Sequence, residues 1–244
     1  MKFFLNNPMA VILLIFMAGQ SFLSGRFDNP ADWFMNTLIL LPAILIGLSF
    51  HEFAHAKVAN MLGDDTPRLQ GRVTINPIAH VDPIGFIALL FIGFGWGKPV
   101  QVNSRSFKNM RRDGLLVAIA GVTMNLILAF IFAGLLKLLF IYQINFMYSE
   151  LGMIIIKMIL PIISINIVLM IFNLLPIPPL DGFGIITEIF NLREKEIYYQ
   201  IYDKGFIILM LLIVFNITDK ILVPAVNYAF FFILNIFGVT PYLF

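Results

Sequence analysis

Residues 48–62 read LSFHEFAHAKVANML, and three side chains in that run can do chemistry. On a helix, His51 and His55 stand one turn apart on one face, where two imidazoles can bind a single zinc ion. Glu52, next to the first of them, can reach a water at the metal as general base. Zinc brings the ionisation of such a water near neutral pH, which makes it an adequate nucleophile toward an amide carbonyl. The residues around the three are apolar, and an ionisable group at mid-bilayer costs roughly 2.5–3.5 kcal/mol or more. A hydrogen-bonded polar knot gluing helices together is the plainer alternative. Three such groups within five residues weigh against it.

Zinc needs a third protein ligand, leaving a fourth position for water. The chain has no cysteine, so His, Asp or Glu must supply it. His80, Asp82 and Asp181 are the candidates. Asp181 stands in FNLLPIPPLDGFG, where Pro176, Pro178 and Pro179 forbid a continuous helix and an unwound end can turn a carboxylate inward. His80 and Asp82 sit in NPIAHVDPIG and could approach the same place. Spacing alone does not choose among them.

The elements that must carry these groups are membrane helices. Of 244 residues 60% are hydrophobic and only 12% charged, with a mean hydropathy of +0.92, which is the composition of an integral membrane protein. A net charge of +2 gives no sign of a nucleic-acid partner. Apolar runs at 8–23, 36–62, 113–142 and 151–175 are long enough, or nearly so, to cross a hydrocarbon core of ~30 Å. The C-terminal third adds 201–217 and 221–237, separated by Thr218-Asp219-Lys220, as two spans or one long bent helix. Residues 1–23 lack a convincing small-x-small cleavage site and read as a retained helix.

Between the second and third runs the texture changes. Residues 69–76 alternate apolar and polar, a strand signal, and Lys98 to Asn103 (KPVQVN) does so more weakly. Residues 83–96 between them are apolar but glycine-rich and too short to span, which suits a re-entrant segment. The expectation is an all-α polytopic membrane fold of about six transmembrane helices, with a small β-element and a re-entrant segment. It forms a single membrane-embedded domain over 1–244, with 36–185 as catalytic core and 1–35 and 200–244 as flanking helices. Lys98, Arg105, Lys108, Arg111 and Arg112 make the densest basic loop, so that loop should be cytosolic. With 83–96 re-entrant, the end of the second span and the 176–185 loop fall on the same side. His51 then lies about ten residues inside the helix end, roughly 15 Å deep from the cytosol at 1.5 Å per residue.

His51-Glu52-Phe53-Ala54-His55, followed far downstream by Asn173 and Leu180-Asp181-Gly182, resembles the site-2 proteases, the intramembrane zinc metalloproteases. GRVTINPIAHVDPIGF with FGWGKPVQVN is similar to the short bacterial branch without PDZ or CBS domains, and the likeness spans most of 45–185. The resemblance implies one zinc ion per chain on His51, His55 and Asp181, with Glu52 as catalytic base and Asn173 near the metal as oxyanion donor. It implies an endopeptidase cutting peptide bonds in or near transmembrane helices, in a bacterial cell membrane with the site nearer the cytosol. Its partners would be a transmembrane-helix substrate, the bilayer and an unidentified regulator. Family members often carry Gly-Pro-x-x-Asn on a middle helix. This chain has Gly121-Val122-Thr123-Met124-Asn125, read as helix packing rather than chemistry.

Other classes compete on residue types. A di-iron histidine box needs many histidines, and the chain has three. A haem would want axial histidines on facing helices, and beyond the i,i+4 pair only His80 is left. A metal or ion transporter could use intramembrane His, Glu and Asp, but would not explain the HExxH glutamate together with LDG. A non-catalytic helix-binding relative would not need every catalytic group.

Overall fold

The computed structural model describes residues 8–243. Among these its regular elements are helices, with no sheet. The principal helices are α1 (Pro8–Leu23), α2 (Pro30–Met61), α3 (Pro83–Ile92), α4 (Met110–Tyr142), α5 (Glu150–Asn173), α6 (Asp181–Phe190), α7 (Glu196–Val214) and α8 (Ile217–Ile236). Of these α2, α4, α5, α7 and α8 are long and apolar enough to cross a membrane. The sixth expected span is α1, whose 16 residues rise only about 24 Å. Residues 1–7 of the expected N-terminal flank, and residue 244, lie outside the described residues.

Local sequence sets the helix ends. Asn29 caps α2 ahead of Pro30, whose missing N–H costs nothing at the first helical position. Asn109 caps α4 by accepting from Arg112 N–H, while Asp113 Oδ2 accepts from Asn109 N–H at 3.0 Å, a reciprocal box that starts the helix three residues before its apolar run. Ser149 caps α5 through Gly152 N–H. At the C-terminal end the break falls at Asn216, in the left-handed region at φ 54. The two-helix alternative is the one observed, and Thr218-Asp219-Lys220 belongs to the first turn of α8 rather than to the break.

α2, α4 and α5 pack pairwise as the centre of the bundle. Ala129 and Ala133 of α4 let Ile156, Ile159, Ile163 and Ile167 of α5 approach closely, with Ile233 and Leu234 of α8 closing the cluster. Gly47 does the same between α2 and α5, since a Cβ there would meet Leu169 and Asn166.

The expected β-element is not formed. Residues 66–69 make a helical turn, Gly71 turns the chain at φ 67, and residues 98–103 form no regular element. One isolated antiparallel bridge, Val81 to Gly97, is all the pairing among the described residues. The alternation misled because one of its polar members, Arg72, goes inward at 3% exposure, while its apolar members Leu69 and Ile75 are 80% and 52% exposed. α3 ends at Gly93 (φ 84), and the segment after it packs back against the helix so closely that a Cβ on Gly85 would strike the Trp96 carbonyl and one on Gly95 the Gly85 carbonyl.

Candidate metal centre

The mid-helix residues of α2 meet the first residue of α6. His51 Nε2 and His55 Nε2 are 3.0 Å apart, and each is 3.2 Å from Asp181 Oδ2. α5 stops at Asn173, and the chain turns through Pro176, Pro178 and Pro179 before α6 begins. Gly182 permits the tight start of α6, because a Cβ there would collide with the Leu174 and Leu175 carbonyls. That turn swings Asp181 back onto α2.

The partners of the two imidazoles fix their protons. His51 Nδ1 lies 2.7 Å from Asn125 Oδ1. The Asn125 amide donates to Gly47 O and to Asn166 Oδ1, so its oxygen is the end facing His51, and His51 Nδ1 must donate. Asn166 in turn donates to Ile162 O. His55 Nδ1–H donates to the Val117 carbonyl at 2.7 Å. As neutral imidazoles both then present Nε2 lone pairs, aimed at each other and at Asp181 Oδ2, which has no hydrogen-bond donor among the described residues. Three electron-rich atoms converging in a buried site without a proton to share are costly unless a cation lies between them.

Zinc fits this donor set. Tetrahedral ligands at ~2.0–2.1 Å from a zinc ion lie about 3.3–3.4 Å apart, and the three observed separations are 3.0, 3.2 and 3.2 Å. Imidazoles whose second nitrogen donates to an amide or backbone oxygen are the usual metal-binding arrangement. Gly121 of α4 lies directly against the pair, and any Cβ there would overlap both rings.

Glu52 lies beside the cluster and accepts the Val100 N–H on Oε2 at 2.9 Å. Two cavities reach the centre. One of about 360 Å³ is lined by His51, His55, Asp181, Asn173, Ser104 and Glu188. The other, of about 820 Å³ and mostly apolar, also touches His51, Glu52 and Asn173 and runs past Trp96, Phe206 and Leu209. Asn173 thus faces both. One of its amide protons goes to Leu169 O, and the other is uncommitted.

The two rival third ligands are engaged elsewhere. Asp82 Oδ1 caps α3 by accepting from Ile84 and Gly85 N–H. His80 bonds the Thr74 carbonyl and faces Arg72. Neither joins His51, His55 and Asp181. Asn125 was read as packing, yet it holds His51. A polar residue on an otherwise apolar helix, one turn after a glycine, was the available signal. Arg72 and the Val117 carbonyl had no such signal.

A family model described as Peptidase family M50 matches residues 139–216, the stretch that holds Asn166, Asn173 and Asp181. "Putative zinc metalloprotease YwhC" of Bacillus subtilis is 42% identical over 188 residues, covering 77% of this chain and 85% of that protein. "Putative zinc metalloprotease Rip2" of Mycolicibacterium smegmatis is 27% identical over 226 residues, covering 88% and 80%. Its namesake in Mycobacterium tuberculosis is 28% identical over 217 residues, covering 86% and 77%. No solved structure matches.

Proposed function

The chain belongs to peptidase family M50, the site-2 protease family, and from that premise we propose that it is an intramembrane endopeptidase cutting transmembrane-helix substrates at a single zinc centre. It is a multi-pass membrane metalloprotease. The observation that carries the finer reading is the convergence of His51 Nε2, His55 Nε2 and Asp181 Oδ2, with Glu52 on the next residue of α2.

The roles assign as follows. His51, His55 and Asp181 hold the metal. Zinc bound there would act as a Lewis acid toward the scissile carbonyl and as a source of acidity for water. Glu52 has one oxygen on Val100 N–H and one free, and the free oxygen takes a proton from the attacking water. Asn173 donates its spare amide proton to the carbonyl oxygen as negative charge develops. Glu52 then delivers the proton to the leaving nitrogen as the C–N bond breaks, giving a carboxylate and an amine. The larger apolar cavity suits a peptide pulled from a helix into extended form, since a helical backbone keeps its carbonyls bonded. The 98–103 segment offers backbone groups to such a peptide without forming a sheet of its own.

Residues 83–96 are read as re-entrant, entering and leaving on the side of the basic loop, which is cytosolic in a bacterial cell membrane. The domain is a single unit, with 36–185 as its catalytic core and an unidentified regulator as an open partner. The test is reconstitution of the zinc-loaded protein with a reporter whose single apolar helix is weakened by an Asn-Pro-Gly insert. Cleavage mapped by mass spectrometry within or beside the helix is expected. No cleavage of any such weakened helix would count against the assignment. Zinc accumulation in vesicles instead would favour a transporter.

A further inference from the structure

A second polar cluster is buried beside the metal centre. Arg72 is 3% exposed and His80 fully buried, and neither belongs to the three-ligand group. His80 Nε2–H donates to the Thr74 carbonyl at 2.6 Å, which leaves Nδ1 as an acceptor 3.3 Å from Arg72 Nη2. Burial pushes the His80 imidazole below the ordinary histidine range, which suits a neutral acceptor. The same Arg72 nitrogen donates to the Lys98 carbonyl. Lys98 N–H returns a hydrogen bond to the His80 carbonyl at 2.7 Å.

These contacts anchor one end of the 98–103 segment. The other end is held by fully buried Asp64, whose Oδ2 accepts from Asn103 N–H at 2.7 Å. Between the two anchors, Val100 N–H donates to Glu52 Oε2 at 2.9 Å. Arg72 Nη2 stands 3.9 Å from that same oxygen, near enough to favour its charge and too far to bond it. Arg72 therefore reaches Glu52 without a direct hydrogen bond, through its charge and through the backbone it holds.

We propose that Arg72, seated by His80, is the positioning residue for Glu52: it holds the 98–100 backbone so that the Val100 amide fixes one carboxylate oxygen and leaves the other free for the cavity. The catalytic consequence rests on the peptidase reading above. The linkage itself does not.

The experiment has two arms, both on the full-length chain in micelles. In the first, hydrogen exchange is followed by mass spectrometry without substrate. Arg72→Gln should speed exchange of the 98–103 peptide at least about tenfold, and Glu52→Ala should do the same, with α4 and α5 peptides unchanged. Unaltered exchange at 98–103 in either variant overturns the linkage. Should Arg72→Gln loosen α4 and α5 as well, Glu52→Ala carries this arm, since the one hydrogen bond its side chain makes among the described residues is to Val100 N–H. In the second arm the weakened-helix reporter is used. Arg72→Gln should lose roughly 10²-fold in kcat, the scale of a ~1 Å misplacement, with KM within about twofold and zinc content unchanged. Arg72→Lys should recover most of the loss. Val100→Pro, which deletes the amide donor, should match Arg72→Gln, and the double variant should be no worse than either single. A KM increase with kcat intact would make Arg72 a substrate-binding group, and multiplied losses would make the two residues independent. Either result overturns the proposal. A wild type that cuts nothing, with the exchange arm as expected, removes the peptidase reading and leaves the linkage standing.

Discussion

Replacing Gly121 by alanine adds one methyl group and should cost the protein its zinc. The new Cβ would lie 2.7 Å from His51 Nε2 and closer still to His55 Nε2. Heavy atoms pack comfortably at about 3.5 Å, so the first overlap alone is about 0.8 Å. Metal ligands tolerate displacements of only about 0.2 Å. Without metal the imidazoles can turn aside, giving up their bonds to Asn125 and Val117. With metal they cannot, so the strain falls on the loaded state. Overpacking of this kind costs about 1–3 kcal/mol, and at its upper end, with 1.4 kcal/mol per decade, zinc affinity falls about 10²-fold. Competitive chelator titration of the purified protein reads this directly. Gly19→Ala is the control, since nothing lies within 4 Å of a Cβ at that site. Gly121→Ala binding zinc as tightly as Gly19→Ala would show that the imidazoles do not need the space that Gly121 leaves.

Other outcomes follow from the same geometry. Asn125→Ala removes the acceptor that sets the His51 tautomer and should weaken zinc 10–100-fold in the same titration, with Asn125→Asp milder because the acceptor remains. Asp181→Ala deletes the only carboxylate of the three-ligand group and should leave the purified protein with well under half its zinc by elemental analysis. Asn173→Ala should lower kcat by about 10²–10³ with zinc retained and KM little changed, as expected for a donor used mainly in the transition state. A rise in KM alone would place Asn173 in substrate binding instead.

What could be read from the sequence depended on the kind of signal. The long helices were legible because bilayer thickness sets the length of an apolar run, and their bounds differ from those expected by a few residues where Asn29 and Asn109 cap early. His51, Glu52 and His55 were legible because each is expensive in its surroundings. The third ligand was not decided by spacing, since no periodicity tells where a proline-broken turn will point a carboxylate. The resemblance named Asp181, and the structure brings it to the histidines. The strand reading of 69–76 failed because alternation was scored as if polar meant outward. Leu69 and Ile75 face outward, while Arg72 finds carbonyl and carboxylate partners inside. Asn125 was passed over for a similar reason, since a helix-gluing amide and a ligand-orienting amide look alike until the partner is known.

Hydrolysis at a metal-bound site with Glu52 as its base joins zinc content to cleavage. Zinc content should be measured together with cleavage of the weakened-helix reporter, for the wild type and for Glu52→Gln. About one zinc per chain in both proteins, with cleavage by the wild type alone, is the predicted result. Cleavage by Glu52→Gln at the wild-type rate, or absence of zinc from both proteins, would contradict it.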